Sequence, residues 1–495
     1  MKKIEYVIKG REPQALFNRF EDIASIPHGS GNEEQLADYI ENFAKSRSLF
    51  CYRDKYNNLL VRRSASPGYE NHPALLIQGH IDMVCEADVD VNIDFLHDGL
   101  SLYEDNGMLY ANRTTLGADD GVAAAVMLAL LDDKTLISPE IECLFTTEEE
   151  TGLTGAQNFD YSLLHSRRML NLDTGGEIVI VSCAGGMRTE IKYIPSKQLV
   201  YAHNKSNIDK KILKIEVSGL AGGHSGIDIH LGRGNANLIM IGLIKSICGI
   251  GHCNIISLHG GSKDNAIPSR CEAVLAVECE NVSDVIVKVN NITGEIRKSL
   301  PHDDDAFSVF VDDVTNNTEP GEYKIYDGSF TEKLVGFTNE IPCGVIEMYD
   351  DIDMVKTSSN YAIIDCDENG LSLHISSRSS DVAELDLIKS KLEMAAYKYG
   401  FETETGSRYS GWEYDAASRI RNEYIAAYKE VTGSDIKVAG VHAGLECGII
   451  KLAVPDMDII ATGVITYGEH TTKEALDLSS LSRVYEVIKL LCSRI

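Results

Sequence analysis

Apolar and polar positions along the chain follow two periods, and the short one is clearest in Leu75-Leu76-Ile77-Gln78-Gly79-His80-Ile81-Asp82. A short apolar run of this kind, opened by Pro73, reads as a buried strand. It delivers a histidine and, two residues on, an aspartate. Before it, residues 12–48 carry a helical period: Leu16, Phe17, Phe20, Ile23 and Ile26 make one face, Pro27 to Gly31 breaks it, and Leu36, Ile40 and Phe43 make a second, with Asn32 as its candidate cap. A strand is expected over 58–62. After it, Thr114 to Gly121 opens an apolar helix running to Leu131, and strands are expected over 140–145 and 169–172. Strands alternating with helices at this spacing predict an α/β domain with a mainly parallel sheet, in which ligands bind beyond the carboxyl ends of the strands.

From about Gly186 the pattern changes. Residues 211–219 and 371–377 alternate as strands, while 235–249 and 381–399 are amphipathic helices, so an α+β domain is inserted into the first. The α/β pattern resumes after Gly406 with a helix over 420–431 and a strand over 459–466, followed by Tyr467-Gly468-Glu469-His470. The expected division is a catalytic domain from 1–186 and 404–495, with 187–403 as an inserted lid. A length of 495 residues agrees with more than one core.

Charge narrows the partners. With 46 basic against 75 acidic residues the net charge is −29, which repels nucleic acid and anionic membrane. The longest apolar stretch, 122–131, is ten residues and too short to span a bilayer. With no apolar signal region after Met1, the expectation is a cytoplasmic protein. Twelve cysteines lie scattered without a C-x-x-C pair, as reduced thiols do, so a thiolate zinc site is not expected. Asp88, Asp90, Asn92 and Asp94 begin like a calcium loop, but Ile93 and Gly99 stand where glycine and glutamate are needed.

The candidate chemistry lies in His80, Asp119, Glu149 or Glu150, Asp173 and His470, each of which follows an apolar run or opens a helix. If those runs are neighbouring strands, the side chains converge at one sheet edge. A single histidine there is more often a packing residue, and an acidic run is usually solvated; five such deliveries in order argue for a site. Nitrogen and oxygen donors without thiolate suit zinc, manganese or cobalt. A paired site needs one bridging carboxylate, a shared water between ions roughly 3.5 to 4 Å apart, and a further carboxylate as base. The chain has no P-loop, no G-x-S-x-G elbow and no H-E-x-x-H helix, and it lacks the Asp-x-His and Gly-Asn-His arrangement of two-metal phosphoesterases.

Several motifs together carry a resemblance. His80-Ile81-Asp82-Met83-Val84, Thr115 to Gly121, Glu149-Glu150-Thr151-Gly152, Asn171-Leu172-Asp173, Gly222-Gly223-His224-Ser225-Gly226, Gly232 to Asn237, Asn265-Ala266-Ile267-Pro268 and His442 to Gly448 span nearly the whole chain. In order and spacing they resemble the aminoacyl-histidine dipeptidases, a branch of the dinuclear metallopeptidases that includes peptidase T and aminoacylase. The resemblance implies hydrolysis of unblocked dipeptides, broad or Xaa-His in preference and including β-alanyl-histidine. It implies two divalent ions, zinc with cobalt or manganese as alternatives, and a homodimer formed through the lid.

Carried over residue by residue, the resemblance implies that Asp119 bridges the ions, His80 and Asp173 complete one site, and Glu150 and His470 the other. Asp82 would accept the second ring N–H of His80, and Glu149 would be the general base. Strand alternation puts Glu148 on the side of Glu150, so the choice of Glu149 rests on the family's Glu-Glu-x-Gly frame. His224 would stabilise the oxyanion, in its own subunit or in the partner's active site. Asn265 and Arg378 would hold the substrate carboxylate, and His442 would lie near the pocket as a substrate ligand or as a loop histidine.

Overall fold

The computed structural model describes residues 5–195, 199–203, 210–278, 282–317 and 321–495; residues 1–4, with which the amino-terminal reading above begins, lie outside them. The chain divides into two compact units, one of Met1–Cys183, Trp412–Gly440 and Leu445–Ile495, the other of Ala184–Gly411 and Val441–Gly444.

In the first unit eight strands form one sheet: β1 (Phe50–Arg53), β2 (Leu59–Arg63), β3 (Leu75–His80), β4 (Ile141–Thr146), β5 (Arg168–Asn171), β6 (Ile178–Cys183), β7 (Lys437–Val441) and β8 (Asp458–Ala461), in the order β1-β2-β4-β3-β5-β8-β6-β7. The parallel character expected for the sheet is confined to its centre. β4, β3, β5 and β8 run parallel, while β1, β2 and β6 pair antiparallel with their neighbours. Connection length explains this: the short link between β1 and β2 permits only a hairpin, whereas a helix separates β3 from β4 and lets the chain return in the same sense.

That helix lies within a sequence including α1 (Gln14–Ala24), α2 (Glu34–Ser46) and α3 (Ala118–Asp132). β3 and β4 are buried at every position, as strands covered on both faces must be, and α3 is buried continuously from Gly121 to Leu131. The helix comes so close to β3 that a Cβ on Gly79 would stand 2.3 Å from Ala123 Cβ and 2.3 Å from Asp120 Oδ2. Gly79→Ala is therefore expected to destabilise the protein by about 1–3 kcal/mol through overpacking, read as a lower denaturation midpoint with an unchanged slope.

Two local expectations are corrected. The residue before α2 is Glu33, which makes no side-chain cap; its carboxylate takes the N–H groups of Gly31 and Glu148 instead. Asn32 is not the cap, its amide pointing to the Phe95 and Leu96 carbonyls. The strand expected over 459–466 stops at Ala461. At Gly463 a Cβ would fall 1.6 Å from the Thr174 carbonyl oxygen, and the chain then enters a separate antiparallel sheet, Thr466–Tyr467 beside Ala475–Asp477, Met108–Ala111 and Leu102–Asp105.

The second unit is built on a nine-stranded sheet whose pairings are antiparallel. Leu213, Ile215 and Val217 alternate into its main core and join apolar residues of the helices Ala236–Cys248, Gly328–Glu340 and Val382–Tyr399. The long hairpin Val355–Asp367 and Gly370–Ser379 departs from this apolar rule near its open end. There Ser358, Ser359, Asn360, Ser377, Arg378 and Ser379 are all buried, with Ser358 opposite Arg378 in register.

Candidate metal centre and recognition cluster

In the first unit His80, the last residue of β3, meets Asp119, which precedes the regular part of α3; Asp119 and Asp120 both have non-helical dihedrals. His80 Nε2 lies 3.2 Å from Asp119 Oδ1, and His470 Nε2 lies 3.2 Å from Asp119 Oδ2. One carboxylate thus stands between two imidazoles. Glu150, four residues past β4, closes the group with Oε1 2.9 Å from His470 Nε2, and ligand atoms of His80, Asp119 and Glu150 lie within 4.8 Å of one another. His470 arrives on the loop between Thr466–Tyr467 and Ala475–Asp477, with φ of 62°, rather than at the end of a strand of the large sheet.

Asp82 does more here than the sequence suggested. Its nearest approach to His80 Nδ1 is through its own backbone carbonyl, at 3.0 Å, with the carboxylate at 3.4 Å. The carboxylate accepts from the N–H groups of Glu149 (3.0 Å) and Glu150 (3.3 Å) and from the Ser30 hydroxyl (2.8 Å). It therefore shapes the turn that presents both glutamates. Glu148 enters that turn with φ of 49°, so strand alternation no longer governs where these side chains point.

One layer below lies a buried polar network. Gln78 donates to the Glu446 carboxylate, which also accepts from the Thr146 hydroxyl at 2.8 Å, while Asn171 donates to Gln78 at 2.8 Å. Asn171 in turn accepts the N–H of Asp173 at 3.2 Å. Glu446 and Ser30 were not singled out in the sequence. Neither belongs to a hydrophobic period, and the one hint was the place of Glu446 in the His442 to Gly448 motif.

The charges in this group are unbalanced by protein alone. Burial raises the proton affinity of Asp173 and Glu149; nearby Asp119 adds to it for Asp173, and Glu446, Glu150 and Asp119 bring Glu149 up to about 8. Burial alone would lower the His80 pKa, but hydrogen bonds donated by its ring to Asp119 and Asp82 hold it well above the usual imidazole value. Hydrogen bonding to Asp119 and Glu150 brings His470 up to about 10. Burial opposes ionisation of Asp119, yet its two imidazole partners keep it low. Carboxylates that force positive charge onto two neighbouring imidazoles form a group suited to divalent cations, which supply the same charge while both histidines act as neutral donors. His80, Asp119, Glu150, Asp173 and His470 offer only nitrogen and oxygen, a fit for zinc, cobalt or manganese.

Glu140, Glu142 and His165 also lie close together, but the Glu142 carboxylate is occupied by Arg62, the Ser166 hydroxyl and the N–H groups of His165 and Ser166. That cluster ties strands and loop together.

The second unit gathers another set. His224, Arg378 and His442 converge on Gly226, where a Cβ would lie 2.2 Å from the His442 carbonyl oxygen, 3.1 Å from His224 Cε1 and 3.2 Å from Arg378 Nε. Arg378 Nη1 donates to the Tyr409 hydroxyl at 2.8 Å, while its buried Nε has no hydrogen-bond partner among the described residues. His442 Nε2 is 2.7 Å from the Ser358 hydroxyl. His224 Nδ1 accepts from the N–H groups of Gly226 (3.2 Å) and Ile227 (3.0 Å). Its proton therefore sits on Nε2, and burial together with the Arg378 charge lowers its pKa, so the ring is a neutral Nε2–H donor. Burial and Arg378 likewise push His442 down to about 3. Asn265 is exposed and outside this cluster, although its carbonyl accepts the Ser225 N–H at 2.8 Å. Ser358 and Tyr409 were not anticipated from the sequence, since serine and tyrosine in strands are ordinary.

Comparison with known proteins agrees with this architecture. Residues 215–304 match the family model of the peptidase dimerisation domain. The crystal structure of the aminoacylhistidine dipeptidase from Vibrio alginolyticus aligns with a TM-score of 0.92 at 30% identity, covering 98% of this chain and 97% of that one. The aminopeptidase PepT of Bacillus cereus ATCC 10987 shares the fold, with a TM-score of 0.54 at 14% identity over 97% of this chain and 98% of that one. Fold and domain content thus place the chain among the M20 metallopeptidases. The cytosol non-specific dipeptidase of Escherichia coli (strain K12) is 32% identical over 486 residues, 98% of each protein. Within the M20 class the chain belongs to this dipeptidase family, as its motifs indicated.

Proposed function

We propose that the chain hydrolyses the peptide bond of unblocked dipeptides, with broad or Xaa-His preference that includes β-alanyl-histidine. The observation that carries the reading is Asp119 held between His80 and His470, in a chain that belongs to the dipeptidase family. His80 and Asp173 are assigned to one ion, Glu150 and His470 to the other, and Asp119 to both; the donor set favours zinc. Two ions held by these residues would lower the pKa of a water and polarise the scissile carbonyl.

The remaining steps belong to side chains. Glu149 takes the proton of the attacking water and returns it to the leaving amine. Asp82 positions it by holding the N–H of Glu149. His224, a neutral donor through Nε2, is assigned to the developing oxyanion; a donor of this kind supplies about 2.7–4 kcal/mol. Arg378 is assigned to the substrate carboxylate, which its buried Nε, unpartnered among the described residues, suits, with His442 and Asn265 as further substrate contacts. The dimerisation-domain match supports a homodimer. A cytoplasmic setting is supported by the cytosolic name of the relative, by the acidity, and by the lack, among the described residues, of a helix long and apolar enough to cross a membrane.

The test is a substrate panel with the metal-loaded protein: Ala-His, β-alanyl-histidine, a tripeptide, an N-acetyl amino acid and C-terminally amidated Ala-His. The expected result is turnover of the free dipeptides and loss of at least about tenfold on amidation, since the amide offers the buried Arg378 guanidinium no charged partner. Turnover confined to the tripeptide or the N-acetyl amino acid refutes the reading and indicates a tripeptide aminopeptidase or a deacylase.

A further inference from the structure

Glu474 takes no part in the chemistry above, yet its buried carboxylate accepts from four consecutive backbone N–H groups. One oxygen takes those of Leu116 (2.7 Å) and Gly117 (3.1 Å), the other those of Ala118 (2.8 Å) and Asp119 (3.4 Å). These donors line the turn that leads into α3. At the helix start itself Asp120 supplies the cap, its Oδ1 accepting the Ala123 N–H at 3.3 Å. Glu474 occupies the N–H groups of this turn, and both Asp119 oxygens face His80 and His470.

The same residue closes the loop that carries His470. Gly468, with φ of 64°, accepts the N–H of Thr471 at 3.1 Å, and Thr471 accepts that of Glu474 at 3.1 Å. Thr472 anchors the loop on Asp88 at 2.7 Å. On the other side the turn passes through Gly117, with φ of 65° and room for a Cβ only 2.9 Å from the Met83 sulfur.

We propose that Glu474 is a positioning residue of the metal centre, whose carboxylate clamps the Leu116–Asp119 turn to the His470 loop and so fixes Asp119 between its two imidazoles. Its negative charge also offsets four N–H dipoles whose positive ends would otherwise attract the Asp119 carboxylate and oppose cations beside it. This inference rests on the metal-centre reading.

The test compares wild type, Glu474→Gln and Glu474→Asp, with Glu142→Gln as a control, because Glu142 is likewise buried and bound to backbone N–H groups but belongs to the strand tie. Zinc affinity is measured by competition with a chromophoric chelator, alongside zinc stoichiometry and the Tm of the metal-free proteins. Loss of an outer partner weakens metal binding by about 10- to 100-fold. That loss is expected for Glu474→Gln, with kcat falling and KM little changed, while Glu142→Gln lowers Tm and leaves zinc affinity as in wild type. Glu474→Asp keeps the charge but withdraws it by a methylene, and it carries the comparison if the glutamine variant does not fold. Wild-type zinc affinity in the Glu474 variants overturns the inference alone. Equal weakening in Glu142→Gln also overturns it, by tracing the effect to general loss of stability. A wild-type protein that binds no zinc, cobalt or manganese overturns the metal-centre reading and this inference with it.

Discussion

Replacing Glu149 with glutamine is expected to lower kcat by about 10²- to 10⁴-fold, the usual contribution of a positioned acid–base group, while the bound metal and the fold stay as in the wild type. Glutamine keeps the volume and the backbone N–H that Asp82 holds, but it cannot take a proton. Burial and the surrounding carboxylates raise the proton affinity of Glu149, to about 8, which is what a group that both accepts and returns a proton needs. The measurement is steady-state turnover of Ala-His beside metal analysis of the same preparation. Wild-type turnover in Glu149→Gln moves the base elsewhere, with Glu148→Gln as the next variant to assay. Lost turnover together with lost metal would instead make Glu149 a ligand.

Asp119→Asn is expected to remove both ions and reduce turnover to the level of chelated wild type. Each Asp119 oxygen faces a different imidazole at 3.2 Å, whereas an asparagine presents one acceptor oxygen, no charge, and an NH₂ that repels a cation. Since changing a residue that merely supports a ligand costs about 10- to 100-fold in affinity, loss of the shared ligand is expected to cost more at both positions. Metal analysis after gel filtration checks this, with circular dichroism to show that the fold persists. Wild-type stoichiometry in Asp119→Asn would rule out a shared ligand. By contrast, His470→Ala is expected to lose one ion and retain the other, because His470 is assigned to a single site.

Much of this was legible in the chain because local pattern and tertiary role coincide. β3 and β4 are buried on both faces, so they read as unbroken apolar runs, and the residues placed at or just beyond their ends stand out. The long apolar helix after Asp119 was visible for the same reason. Where burial is one-sided or the route is irregular, the sequence said less. The strand expected to run to Thr466 ends at Ala461, since close approach to the Thr174 carbonyl bends the chain at Gly463 into another sheet. The antiparallel edges follow from connection length, which hydrophobic periodicity does not record.

By itself the sequence determined that the chain has an α/β part interrupted by an α+β part, that its candidate ligands are histidines and carboxylates without thiolate, and to which family it belongs. Those properties reside in residue type and order. Only the tertiary structure decided that the Asp82 carboxylate organises the Glu149–Glu150 turn, that Val441–Gly444 packs with the second unit and brings His442 to Ser358, and that Glu474 occupies the N–H groups beside Asp119. These are hydrogen bonds of buried polar groups between segments as much as 358 residues apart. A buried carboxylate must find its partners wherever the fold brings donors, and no local period in the chain marks that place.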